Sequence, residues 1–200
     1  MGRYIVGVTG ASGSVLAASL MRELLLRGHE LSVTATAAGI LVLKQELNLD
    51  LSAMAGADQA RAITAYLGVS GSLTYFDERE IGAPIASGSF KTDGMAVVPC
   101  TMGTAHAIAY GASGNLLERA ADVMIKEKRR LVVVPRETPL SAIHLNNLLQ
   151  LAQNGVTVLP PMPAFYAHPQ TVDEMVINFT GRLLDQLGVE NDLAYVYTGL

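Results

Sequence analysis

The sequence predicts a three-layer α/β fold, a parallel sheet with helices on both faces. Two observations carry this. Continuous apolar runs such as Met95–Pro99 and Leu131–Pro135 have the pattern of strands buried on both sides. They alternate with longer stretches that repeat apolar residues at helical spacing, and such alternation builds parallel crossover units. A third feature is the glycine-rich turn joining the first strand directly to the first helix.

The elements follow in order. Tyr4-Ile5-Val6-Gly7-Val8 is the first strand, and it enters Thr9-Gly10-Ala11-Ser12-Gly13. A helix near Ser12–Arg27 places Leu16, Leu20, Leu24 and Leu25 on one face, and Gly28 stops it. Glu30–Thr36 is the second strand. Helices are expected over Ala37–Leu47 and Leu51–Leu67, a short strand over Ser72–Phe76, and a loop over Asp77–Lys91. After the Met95–Pro99 strand come a helix over Thr101–Tyr110 and a strongly amphipathic one over Asn115–Arg130. Leu131–Pro135 is a strand, Pro139–Gln153 a helix, Val156–Leu159 a strand and Gln170–Leu187 the last long helix. No linker or low-complexity segment interrupts the pattern, so residues 1–200 read as one domain.

Composition narrows the function classes. Half of the 200 residues are apolar and only 16% are charged. That is sparse charge for a small monomer, so much surface is expected to lie between subunits of a homo-oligomer. A net charge of −4 argues against nucleic acid as a general partner. The single cysteine, Cys100, excludes an internal disulfide and fits a reducing compartment. It reads as a small buried residue. The first strand begins within a few residues of Met1, leaving no room for a signal peptide. No apolar run reaches the roughly 18 residues that span a bilayer. The expectation is a cytoplasmic protein with no membrane partner. His29, His106, His144 and His168 lack metal-ligand spacing, so no metal is expected.

The glycine turn is the strongest local signal. Backbone N–H groups and the helix dipole converge on an anion at such a turn, where glycines permit close approach and Ser12 can cap the helix. The spacing Gly7-x-x-Gly10-x-x-Gly13 is not that of a dinucleotide site, and the second strand ends at Thr36 without a carboxylate. A tight strand–helix connection without a ligand has the same appearance. The other strand ends add weight. They carry Ser87-Gly88-Ser89, Thr101-Met102-Gly103-Thr104, Arg136-Glu137-Thr138-Pro139 and a proline-bounded segment reaching Phe165 and Tyr166. Hydroxyls and free amides at the carboxyl edge of a parallel sheet suit a phosphorylated ligand. Arg119 and Lys126 stand seven residues apart on one helix face. They form either an anion site or structural pairs with Glu118 or Asp122. Lys128, Arg129 and Arg130 read as a solvated cap at that helix's C-terminus.

At these residues the chain resembles the UbiX family of flavin prenyltransferases over nearly its whole length. The matching segments are Val8-Thr9-Gly10-Ala11-Ser12-Gly13, Ala86-Ser87-Gly88-Ser89-Phe90, Pro99-Cys100-Thr101-Met102-Gly103-Thr104, the helix Asn115–Val123, Lys126-Glu127-Lys128-Arg129, Val134-Pro135-Arg136-Glu137-Thr138-Pro139 and Pro163-Ala164-Phe165-Tyr166-Ala167-His168-Pro169. The resemblance implies a flavodoxin-like/Rossmann-like domain that binds reduced FMN and joins to it, at N5 and C6, a dimethylallyl group from dimethylallyl phosphate. No metal is required. The product, prenylated FMN, serves UbiD-type decarboxylases, in ubiquinone biosynthesis or aromatic acid decarboxylation, and the usual assembly is a homododecamer with sites at subunit interfaces.

Carried over by position, Gly10, Ala11, Ser12, Thr36, Thr101, Met102, Gly103, Thr104 and Arg136 would hold FMN. Ser87, Gly88, Ser89, Arg119, Lys126, Tyr166 and Arg182 would meet the prenyl phosphate. Glu137 is the candidate proton shuttle, and Glu46 matches a family glutamate in the pocket. With Tyr166, Lys126 and Arg119 they form the candidate catalytic set. The chain departs from the family in having no tryptophan: Ile81 and Tyr197 stand where members often place one. Two other readings stay open. One is an FMN-dependent cysteine decarboxylase-like protein, whose P-A-S-A-N-T type segment is here Pro84-Ile85-Ala86-Ser87-Gly88-Ser89. The other is a non-enzymatic FMN carrier, which would not need Arg119, Lys126 and Glu137 together.

Overall fold

The computed structural model describes residues 1–198. A single parallel sheet of six strands forms its centre, in the order β3-β2-β1-β4-β5-β6. The strands are β1 (Arg3–Val8), β2 (Glu30–Ala35), β3 (Leu73–Tyr75), β4 (Gly94–Cys100), β5 (Arg130–Pro135) and β6 (Thr157–Val158). The chain builds outward from β1 to β3, then returns to the other side of β1 to lay down β4 to β6. Connections after β1 and β4 therefore leave in opposite directions. That switch opens a crevice beyond the carboxyl ends of the two strands.

Side-chain alternation along the strands supplies two cores, giving the expected three layers. Tyr4, Val6 and Val8 of β1, with Ala96 and Val98 of β4, pack under α1 (Ser14–Leu26), α3 (Gly56–Leu67) and α7 (Val172–Leu187). Ile5, Met95 and Val97 face the opposite layer of α4 (Met102–Ala109), α5 (Leu116–Lys126) and α6 (Ala142–Gln153). α2 (Ala37–Leu47) stands at the end of β2 and joins the first layer through Leu43. Full burial of Leu20, Leu24, Leu116 and Leu117 contributes about 1.5–3 kcal/mol each.

Several helix ends differ from the expected ones, each for a local reason. α1 starts at Ser14 instead of Ser12, because Gly13 takes φ 114°, a left-handed conformation outside helical geometry. The helix expected from Leu51 starts at Gly56. The backbone N–H and hydroxyl of Ser52 donate to Asp50 Oδ1 at 3.0 and 2.6 Å, and this side-chain turn competes with helix. α5 stops at Lys126, four residues short of expectation, since Lys128 turns left-handed at φ 55°. α6 begins after Ser141, whose hydroxyl accepts from His144 N–H in a capping box. Pro139 precedes the helix.

Exposed apolar side chains are numerous. Ile143, Leu145 and Leu149 of α6 face solvent, as do Met162, Phe165 and Val172. None of the helices is long and apolar enough to cross a membrane among the described residues.

Candidate active site

The glycine turn after β1 does receive an anion, and the anion belongs to the chain. Glu46, in the last turn of α2, accepts from Gly13 N–H at 3.0 Å and from Ser14 N–H at 2.8 Å. Burial pushes the Glu46 carboxyl up, but donation from the Ser12 hydroxyl and the two amides outweighs it, and the group sits below its usual value. Ser12 therefore does not cap α1 as expected; Gly13 occupies the N-cap position without a side-chain bond. Gly10 also has a different reason from phosphate approach. A Cβ there would lie 2.5 Å from Ala38 Cβ, so glycine lets β1 meet the start of α2.

A second internal carboxylate serves α2. Glu78 accepts from Ala37 N–H at 2.8 Å, and Thr36 Oγ1 accepts from Gly39 N–H at 3.0 Å. The carboxylate missing from the end of β2 in sequence thus arrives from the loop after β3. The Glu78 carbonyl also accepts from Leu116 N–H at 2.7 Å, which draws the start of α5 toward the crevice.

The N-terminus of α4 is differently equipped. Thr9 Oγ1 donates to the Pro99 carbonyl at 2.8 Å and accepts from Thr101 N–H at 2.8 Å, locking the ends of β1 and β4 together. Thr101 Oγ1 accepts from Thr104 N–H at 3.2 Å and lies 3.0 Å from Thr104 Oγ1. Met102 and Gly103 N–H, in the first turn, have no partner among the described residues. A Cβ on Gly103 would meet nothing nearer than 4.0 Å. This end of α4 offers two free amides and open space to an anionic or hydrogen-bond-accepting ligand. Arg136 closes the edge: its Nε donates to the Ser12 carbonyl at 3.2 Å and its N–H to the Cys100 carbonyl at 3.1 Å. Ser12, Gly13 and Arg136 then share the wall of a cleft of about 270 Å³ with Met162 and Phe179. Glu137 is exposed, its Oε1 accepting from Thr138 N–H at 3.0 Å. Burial pushes the Cys100 thiol up, and it donates to the Thr101 carbonyl at 3.3 Å, which leaves it unsuited to nucleophilic work.

The third group lies where α5 meets the loop holding the 3-10 turn Pro84–Ala86. Arg119 Nε donates to the Ala86 carbonyl at 3.2 Å, and its Nη1 pairs with Asp122 at 2.8 Å. The Asp122 pair and the approach to the loop coexist. Lys126 pairs with Glu127, whose carboxyl it holds below the usual range. Both side-chain ends lie against Gly88: a Cβ there would stand 2.3 Å from Glu127 Oε1 and 2.8 Å from Lys126 Nζ. Ser87 and Ser89 hydroxyls are 2.9 Å apart at the exposed tip. One expectation fails here. Arg129 is not a solvated cap residue. Its side chain is only 12% exposed and donates to the Gly88 carbonyl at 2.5 Å and the Phe90 carbonyl at 2.8 Å.

Two candidates stay apart within one chain. Tyr166 sits exposed in a 3-10 turn, ring edges against Tyr195 and Tyr197 at centroid distances of 5.6 and 6.1 Å. Arg182, on α7, pairs with Asp185 at 3.1 Å. Neither makes a hydrogen bond or ion pair to the Ser87–Ser89 tip among the described residues. Of the two positions without tryptophan, Tyr197 keeps an aromatic ring against Tyr166, whereas Ile81 is exposed.

A family model described as Flavoprotein matches residues 2–183. The flavin prenyltransferase UbiX of Halalkalibacterium halodurans is 47% identical over 193 residues, covering 96% of this chain and 91% of the relative. The chain belongs to the UbiX flavin prenyltransferase family. Two solved UbiX structures share its fold throughout. A dodecameric FMN-dependent UbiX-like decarboxylase from Escherichia coli superposes with a TM-score of 0.85 at 40% identity, covering 98% of this chain and all of that one. AnUbiX (PadA1), in complex with FMN and dimethylallyl pyrophosphate, superposes with a TM-score of 0.88 at 33% identity, covering all of this chain and 98% of that one. No group of three or more His, Cys, Asp or Glu residues able to hold a metal occurs among the described residues.

Proposed function

We propose that the protein transfers a dimethylallyl group from dimethylallyl phosphate to reduced FMN, making prenylated FMN for a UbiD-type decarboxylase. The observation that carries this reading is the approach of Arg119 and Lys126 to the Ser87–Ser89 tip in a chain of the UbiX family. Gly10, Ala11, Ser12, Thr36, Thr101–Thr104 and Arg136 hold FMN, with the Met102 and Gly103 amides free to donate to it. Reduced FMN supplies N5 and then C6 as the atoms to which the dimethylallyl carbons bond. The allylic C–O bond breaks with its electron pair going to the phosphate. Arg119 keeps three N–H donors beyond its bonds to Ala86 and Asp122, and Lys126 keeps two beyond Glu127. These cations, with Ser87 and Ser89, stabilise the departing phosphate. Tyr166 and its tyrosine neighbours shelter the allylic cation by their π faces. The N5 proton leaves as the first bond forms. Ring closure onto C6 then consumes the prenyl double bond, whose inner carbon takes up a proton while its outer carbon bonds C6 and Glu137 takes the C6 proton. Glu46 holds the turn beside the flavin.

The same reading makes the domain, residues 1–200, one subunit of a cytoplasmic homododecamer. Exposed Ile143, Leu149, Phe165 and Tyr166 are the surface such packing would cover. Tyr166 and Arg182 then serve a tip on a neighbouring subunit. Titration calorimetry with dimethylallyl phosphate tests the anion assignment. Lys126→Ala is expected to weaken the donor about 10- to 100-fold, the worth of one charge-assisted hydrogen bond, while FMN affinity changes by less than about twofold. Equal losses for both ligands would contradict the assignment.

A further inference from the structure

The geometry points to Arg129 as a positioning residue that sets the anion-binding face of the Ser87–Ser89 tip. This inference rests on the reading of that tip as the prenyl-phosphate site.

The tip is a turn closed by Phe90 N–H donating to the Ser87 carbonyl at 3.2 Å. Its peptide planes are fixed from behind. Arg129 Nη2 holds the Gly88 carbonyl, and Nη1 holds the Phe90 carbonyl and reaches Thr92 Oγ1 at 3.3 Å. In a planar trans peptide the C=O and the following N–H point in opposite directions. Turning the Gly88 carbonyl toward Arg129 therefore turns Ser89 N–H away from it, to the side carrying the Ser87 and Ser89 hydroxyls. Ser89 N–H has only a long contact, 3.4 Å, to Ser87 Oγ, so it remains able to donate to an anion. Two hydroxyls and one amide then face outward beside Lys126 and Arg119.

The approach of Arg129 is itself built by the chain. The left-handed Lys128 ends α5, and Arg129 N–H donates back to the Met124 carbonyl at 2.9 Å, so the next side chain returns under the loop. Gly88 completes the fit, since it alone leaves room for Lys126 and Glu127 against the tip. A lysine at 129 would bring one point charge where arginine's planar fork holds two carbonyls.

The test uses the assembled protein. Donor KM, kcat, the Kd for dimethylallyl phosphate and the FMN Kd are measured for wild type, Arg129→Ala, Arg129→Lys and Gly88→Ala. Arg129→Ala is expected to raise donor KM and Kd about tenfold, the scale of a misdirected charge-assisted contact. Its kcat falls too, because the same tip hydroxyls hold the departing phosphate, while its FMN Kd stays within about twofold. Arg129→Lys recovers part of the loss. Gly88→Ala displaces Lys126 with Arg129 in place and weakens the donor without changing FMN affinity, a loss independent of Arg129. If Arg129→Ala folds poorly, Arg129→Lys decides, and full wild-type donor affinity in it would overturn the inference. Unchanged donor affinity in Arg129→Ala, equal loss of donor and FMN affinity, or no donor binding by the wild type would overturn it. Donor binding by the wild type without prenyl transfer would overturn the transferase reading instead, and the binding constants alone would then decide the role of Arg129.

Discussion

Glu46→Gln removes one charge from the start of α1 and keeps the side chain's shape. In the native protein the carboxylate accepts two amide hydrogen bonds, at 3.0 and 2.8 Å, at the positive end of a 13-residue helix. Loss of a helix cap costs about 0.5–2 kcal/mol, and the charge–dipole part alone is about 0.3–1 kcal/mol. Glutamine retains one acceptor oxygen, so a loss of about 1 kcal/mol is expected at pH 7. For a chain of this length that is about 2–4 °C in Tm. The sign of the pH dependence follows from the carboxyl lying below its ordinary value of 4.5 in the folded protein. Its stabilisation is present above that ordinary value and is lost as pH falls through the folded one. Thermal unfolding followed by circular dichroism, wild type against Glu46→Gln at equal protein concentration from pH 7 to pH 3, should show an offset that narrows as pH falls. Identical Tm values at pH 7, or an offset independent of pH, would refute the capping role.

Glu137→Gln is expected to leave FMN affinity unchanged and to lower the prenylation rate about 100-fold, the usual worth of a positioned base; single-turnover spectroscopy checks it, and full activity would remove Glu137 from proton transfer. Cys100 should resist iodoacetamide in the native protein and react once guanidinium unfolds it, because the thiol is fully buried and its ionisation is pushed up. Mass spectrometry of labelled peptides reads this directly, and fast native labelling would contradict the burial.

The layers were legible in the sequence because strands buried on both faces, such as Met95–Pro99, need unbroken apolar runs. The shared face of Arg119 and Lys126 was legible too, since a spacing of seven on one helix puts them on one side whatever the packing. Helix starts were not. Whether α1 begins at Ser12 or at Ser14 depends on the single φ angle of Gly13, and the Asp50–Ser52 turn wins over helix by two local hydrogen bonds. The carboxylate caps escaped for a different reason. Glu46 reaches amides 32 and 33 residues away and Glu78 one 41 residues away, distances no local pattern encodes. Arg129 looked like one of three solvated cations, and only the left-handed Lys128 sends it under the loop. Tyr166 and Arg182 rest on family likeness, as neither contacts the tip within one chain.

The transferase reading is tested most directly by anaerobic incubation of the protein with reduced FMN and dimethylallyl phosphate, followed by mass spectrometry of the released flavin. The expected result is a flavin heavier by one dimethylallyl unit, formed without added metal. Unmodified FMN, recovered from protein shown to bind both ligands, would contradict it.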